Sequence, residues 1–170
     1  MIPSFWNRIP PRWRPALFRF GLNLFPAYRA TGGRVVAVAP DMLGARVRLP
    51  LGWRTCNGAG TTFGGSLYAA TDPLFALLLA VNLGPDYVVW DKAASIRYRR
   101  PGRATLFADF RISVEDLRVV RETVAREGRC DRHFHVDFCD AEGVVHAGID
   151  KTVYIGRRHP PSGENQPMPR

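Results

Sequence analysis

The chain has 170 residues, 46% of them hydrophobic, enough for one packed domain and too apolar for a chain disordered throughout. Its net charge of +9 is almost all arginine, since Lys92 and Lys151 are the only lysines; such a balance favours anionic ligands or surfaces, or reflects a bias of composition alone. Three cysteines, Cys56, Cys130 and Cys139, lack any C-x-x-C spacing, which argues against a disulfide scaffold and a Cys-based zinc site and points to a reducing, cytoplasmic setting.

Residues 1–33 read as an N-terminal helical segment. It carries Arg8, Arg12, Arg14, Arg19 and Arg29, and no acidic residue precedes Asp41. Pro15 opens a helix to about Phe25, and Pro26 with Gly32-Gly33 ends it. Its aromatic residues Phe18, Phe20 and Phe25 occupy more than one face, so they serve the core, a subunit contact or a membrane. Charges and Pro15 interrupt the aromatic run, which argues against a secretory signal. The longest apolar run, Leu74 to Val81, is too short to span a bilayer.

Residues 34–157 form the main domain. Arg34–Ala39 and Ala45–Leu49 read as strands around a turn at Pro40-Asp41, the second alternating Ala45, Val47, Leu49 with Arg46 and Arg48. A glycine-rich loop, Gly52 to Gly65, precedes Ser66–Leu83, a helix apolar on nearly every side and therefore internal. Tyr87–Arg100 and Ala104–Ser113 read as long strands joined by a tight turn at Pro101-Gly102. Ser113 with Asp116 spells a capping box for a short helix that Gly128 closes. Strands Asp131–Asp140 and Val144–Ile155 follow, and residues 158–170, rich in proline, read as a disordered tail. The order describes an α+β domain with one buried helix against an antiparallel sheet.

The segment Asn57-Gly-Ala-Gly60-Thr-Thr-Phe63-Gly64-Gly65, with Asp72 beyond it, resembles the loop and helix carboxylate of hotdog-fold thioesterases of the phenylacetate-pathway type. Thr71-Asp72-Pro73 and Tyr87–Ile96 narrow the likeness to a bacterial hotdog family labelled as thioesterases. The likeness covers roughly residues 18–157. It implies a long central helix wrapped by a curved antiparallel sheet of about six strands, with the N-terminal helix as an extra. It also implies a homodimer or dimer of dimers with its site between subunits. Phe63 departs from the family's usual histidine before the double glycine, and Asp91 stands where related enzymes place serine or threonine.

Hydrolysis of a thioester needs a base or nucleophile, donors for the oxyanion and a slot for the acyl chain. The resemblance assigns Asp72 to the first role, the Gly64 and Gly65 amides at a helix start to the second, and Asn57 to orienting water or the carbonyl. Asp72 before Pro73 also fits a plain helix start, with Asp as N-cap. Within a longer helix, Pro73 instead bends it and frees the Ala69 carbonyl. Asp91 either shares the cleft with Asp72, each raising the other's pKa, or pairs with Lys92 or an arginine at a strand edge.

Arg97, Arg99 and Arg100, with Arg103, suit the phosphates of coenzyme A, or form a solvated strand end. Tyr98 alone stands among them, and the aromatic residues do not interleave as a stacking platform would require, so nucleic acid is disfavoured. His133 and His135 alternate with Asp131, Asp137 and Cys139, a spacing compatible with a metal, yet Phe134, Val136 and Phe138 hold the core side and leave that face to solvent or a subunit contact. His146 has no evident partner. No metal and no cofactor are expected. The reading is an acyl-CoA thioesterase acting on an acyl-CoA or acyl-carrier thioester with Asp72, Asn57 and Gly65 at the chemistry and Phe63, Gly64, Asp91 and the arginines at the substrate. The alternatives are a non-catalytic acyl-CoA binder and a protein held peripherally on a membrane by the N-terminal segment.

Overall fold

A computed structural model describes Trp6 and residues 8–158. The tail expected to be disordered lies outside the described residues apart from Arg158. A 3-10 turn at Pro11–Trp13 leads into α1 (Arg14–Leu24), with Pro15 in its first turn, where a missing amide costs nothing. Pro26 does not end the segment. It opens a second short helix, α2 (Pro26–Ala30), for the same reason.

Phe18 and Leu22, four residues apart, are the buried face of α1, which packs on β1 (Arg34–Val38). Asn23 closes the outer edge of that strand. Its Oδ1 accepts from the Val35 amide at 2.8 Å, and its Nδ2 donates to the Val35 carbonyl at 2.8 Å. One carboxamide thus supplies the pair of bonds that a further strand would have made.

The remaining elements are β2 (Gly44–Leu49), α3 (Gly64–Ala69), α4 (Leu74–Leu83), β3 (Tyr87–Tyr98), β4 (Leu106–Arg111), α5 (Val114–Glu127), β5 (Arg129–Cys139) and β6 (Val145–Arg157). They form a six-stranded antiparallel sheet in the order β1-β2-β4-β5-β6-β3. The hairpin expected at Pro101-Gly102 is absent: β3 pairs with β6 at the far edge, and the segment is a crossover to β4 in the middle. Pro101 has no amide for a ladder, and the Gly102 carbonyl is taken by the Thr62 amide at 2.8 Å. The capping box of α5 forms as expected, Ser113 Oγ accepting from the Asp116 amide and Asp116 returning the bond, and Gly128 ends the helix at φ 76°.

The central helix supplies the core. Leu74, Phe75, Leu78 and Leu79 of α4 are fully buried, with the Phe75 ring edge-on to Phe110 at 5.0 Å and stacked on Phe134 at 4.7 Å. Each such side chain contributes about 1.5–3 kcal/mol by burial. Gly64–Leu83 together has the length and apolarity of a membrane span, more than the short run visible in the sequence, but half of it is buried, with Leu67, Leu74, Phe75, Leu78 and Leu79 in the core.

The central helix is broken at Ala70–Pro73. Proline has no amide to continue the ladder, and the orphaned carbonyls find other donors. The buried Tyr28 hydroxyl donates to Ala70 O at 3.1 Å, and Thr71 Oγ1 donates to Tyr68 O at 2.7 Å. The Ala69 carbonyl is not freed, because the Asp72 amide turns back to it at 3.2 Å. Burial pushes the Tyr28 phenol well above its ordinary pKa, so it stays a donor.

Candidate functional site

The inward face of β6 reads Ala147, Ile149, Lys151, Val153, Ile155, and all five are buried. A lysine at a core position must have counter-charges, because an unpaired ammonium there would be strongly disfavoured. Lys151 finds two. Its Nζ lies 2.5 Å from Asp91 Oδ2 and 3.3 Å from Asp72 Oδ1. The Lys151 side chain is 2% exposed, Asp91 21% and Asp72 58%, so the cluster runs from the core to the surface.

Local structure places each partner. A bulge in β3 between Asp91 and Ala93 shifts the register against β6. Asp91 points inward while Lys92 turns out to Asp131 at 2.7 Å. Among the described residues Asp91 is therefore paired with Lys151, and with neither Lys92 nor an arginine. Asp72 sits in the helix break and is not an N-cap: α4 starts at Leu74, with no side-chain cap bond. Burial, then the hydrogen bond shared with Asp72, raises the Asp91 carboxyl above the ordinary value, against the opposing pull of Lys151. Its Oδ1 is buried with no hydrogen-bond partner among the described residues.

The two carboxylates open onto a groove of about 600 Å³ between α4 and β3. Its walls are Ala76, Leu77 and Ala80 on one side and Val88, Val89 and Trp90 on the other, and Arg158 stands at the far end beside Gly84 and Pro85. An apolar slot with convergent polar groups at its mouth is the usual form of a small-molecule site.

The glycine loop lies at the other end of the central helix. Gly65 and Asp72 are seven residues apart, about 10 Å along a helix. Asn57 is occupied within the loop: Oδ1 accepts from the Ala59 and Thr61 amides at 3.0 and 3.1 Å, and Nδ2 donates to Thr61 Oγ1 at 2.9 Å. The side chain shapes the loop and is not turned to the groove. Gly64 and Gly65 open α3, and among the described residues their amides donate no hydrogen bond. Each glycine admits a ring that a side chain would exclude. A Cβ on Gly64 would lie 2.8 Å from the Tyr98 hydroxyl, and one on Gly65 would lie 2.4 Å from the half-exposed Phe63 ring.

Arg97, Arg99 and Arg100 are exposed beside this loop end, and no ion pair involves them among the described residues. Within one chain, then, Asp72 and Asp91 come together, while Asn57, Phe63, Gly64, Gly65 and the three arginines gather elsewhere. Lys151 is the residue that sequence reasoning missed.

The histidines form no metal centre among the described residues. His135 bridges Asp150 at 2.6 Å and Asp137 at 3.0 Å on the outer face of the sheet, and His133 contacts Thr152. His146, for which the sequence shows no evident partner, binds Asp140 at 3.0 Å and the Pro101 carbonyl at 3.2 Å, tying the β5–β6 turn to the crossover.

Comparison with known proteins bears on this arrangement. The model of the domain of unknown function DUF4442 matches residues 15–155. No curated protein matches. Among solved structures, PA5026 of Pseudomonas aeruginosa, called a "probable thioesterase", superposes with a TM-score of 0.75 at 19% identity, over 84% of this chain and 95% of its own. The thioesterase HI1161 of Haemophilus influenzae gives 0.62 at 17% identity, over 81% and 87%. The Escherichia coli PaaI protein, from the phenylacetic acid degradation operon, gives 0.60 at 17% identity, over 88% and 94%. At these identities the likeness establishes the fold, which is the hotdog fold anticipated from the glycine loop.

Proposed function

The chain belongs to the DUF4442 family, and from its site and the fold it shares with structures called thioesterases we propose that it is an acyl-CoA thioesterase. The reading rests on one observation above all, the convergence of Asp72 and Asp91 on buried Lys151 at the mouth of an apolar groove. Asp72 is the base that activates water, or the nucleophile itself. Lys151 holds that carboxylate in place, and the groove takes the acyl chain.

The oxyanion donors come from a second subunit. The β1 edge of the sheet is closed by Asn23, whereas the 12-residue β3 forms the opposite edge. A strand edge of that length calls for a partner. β3 runs antiparallel to the central helix, with Tyr98 against Gly64 and Asp91 against Lys151 and Asp72. Pairing two β3 strands about a two-fold axis between Ala94 and Ser95 sets Tyr98, beside Gly64 of one protomer, opposite Asp91 of the other. Arg97, Arg99 and Arg100 would then meet the phosphates of coenzyme A.

A second reading, a non-catalytic acyl-CoA binder, is favoured by Phe63, whose ring covers Gly65 where the family loop has histidine. Free thiol released from acyl-CoAs of graded chain length separates the two. Saturable turnover on at least one chain length supports the enzyme. Saturable binding with no thiol release on any of them supports the binder.

A further inference from the structure

Helix α1 is apolar on two opposite sides. Phe18 and Leu22 face the sheet. Trp13, Leu17, Phe20 and Leu24, at spacings of four, three and four, form a single stripe on the reverse side. All four are open, from Leu17 at 46% to Leu24 at 65% exposed. Phe25, 56% exposed, follows directly after α1, and Trp53, at 86% the most exposed large apolar side chain among the described residues, lines a depression beside α2 with Pro26, Arg29 and Arg54.

Charge on this surface has one sign. No acidic residue occurs before Asp41, and neither Arg12, Arg19, Arg29 nor Arg54 makes an ion pair among the described residues. Three of these guanidiniums instead lie over exposed rings: Arg12 on Trp13 at 6.0 Å, Arg19 on Phe20 at 5.2 Å and Arg54 on Trp53 at 4.8 Å. A ring with a cation folded along it suits a boundary between hydrocarbon and negatively charged head groups. A soluble protein partner would demand carboxylates matched to each arginine. A bilayer demands only apolar side chains on one stripe and cations around it, which is what α1 and α2 present.

We propose that the outer face of α1, with Phe25 and Trp53, docks the protein on anionic lipid bilayers. The helix lies in the plane of the interface, its stripe entering the acyl boundary and the arginines meeting lipid phosphates. This surface is separate from the groove, so the proposal stands whether or not the thioesterase reading does.

The test is sedimentation of the full-length protein with vesicles of phosphatidylcholine alone or mixed with phosphatidylglycerol. Binding is expected only to the mixed vesicles and is expected to weaken as salt rises. Phe20→Glu with Leu24→Glu, both at exposed positions, is expected to lower partitioning by about tenfold or more, with an unchanged circular dichroism spectrum and elution volume. Three results would overturn the proposal. One is the absence of binding by wild type. Another is binding that persists in the double variant and responds only to loss of arginines, which marks plain charge attraction. The third is a variant whose elution volume shifts to a smaller assembly, which assigns the stripe to a second copy of this chain.

Discussion

Lys151 Nζ lies 2.5 Å from Asp91 Oδ2, joining a core position of β6 to an inward-turned residue at a β3 bulge. The bulge turns Asp91 inward to that ammonium, and Asp72 lies 3.3 Å from the same atom. A buried cation fixes an acidic group that faces solvent at the groove mouth. Such an arrangement adds little net stability and much positional definition.

Removing the ammonium tests that account. Lys151→Met leaves Asp91 buried without its cation and is expected to lower the unfolding free energy by about 2 kcal/mol, less than a fully enclosed pair because Asp91 keeps some contact with water. Asp91→Asn combined with Lys151→Met is expected to cost less than the sum of the single changes. Urea denaturation of the four proteins measures the coupling, and strict additivity would dissolve the pair.

The raised pKa of Asp91 predicts a pH dependence with a definite sign. Between the ordinary aspartate value of 3.8 and the raised folded value, the native chain keeps a proton that the unfolded chain has released. The Asp91 contribution is thus fully present below the ordinary value and is lost as pH rises through the folded one. Urea midpoints of wild type minus those of Asp91→Asn are expected to fall with rising pH across that window. A difference that is flat or rises would reverse the assignment.

Tyr28 supports the helix break from a distance of 42 residues in sequence. Tyr28→Phe strips the donor from the buried Ala70 carbonyl and is expected to cost about 1–3 kcal/mol in unfolding free energy. A loss below a few tenths would mean that the break satisfies itself.

Phe63 stands over Gly65 in place of a donor. Phe63→His is expected to raise thiol release from acyl-CoA about tenfold, since an imidazole there can donate to a thioester oxygen. Unchanged turnover would place the oxyanion elsewhere.

What the sequence disclosed follows the range of the forces involved. The capping box at Ser113 and Asp116 and the stop at Gly128 are local, and their chemistry spells itself out in a few residues. The buried central helix is equally plain from its composition. The partner of β3 is not, because a short connection at Pro101-Gly102 looks like a hairpin, while pairing is decided by contacts about 50 to 70 residues away in β6. Lys151 carried a usable signal: it interrupts the alternation of Ala147, Ile149, Val153 and Ile155, and a charge in such a register implies a partner inside. The bonds of Asn57 were not legible, since an amide in a glycine loop serves the loop as readily as a ligand, and here it accepts from the Ala59 and Thr61 amides.

The central claim is that Asp72 performs the chemistry at the groove. Steady-state thiol release by Asp72→Asn, with acyl-CoA binding measured alongside, tests it most directly. A fall in kcat of about a thousandfold is expected, with binding retained. Turnover equal to that of wild type would contradict the claim.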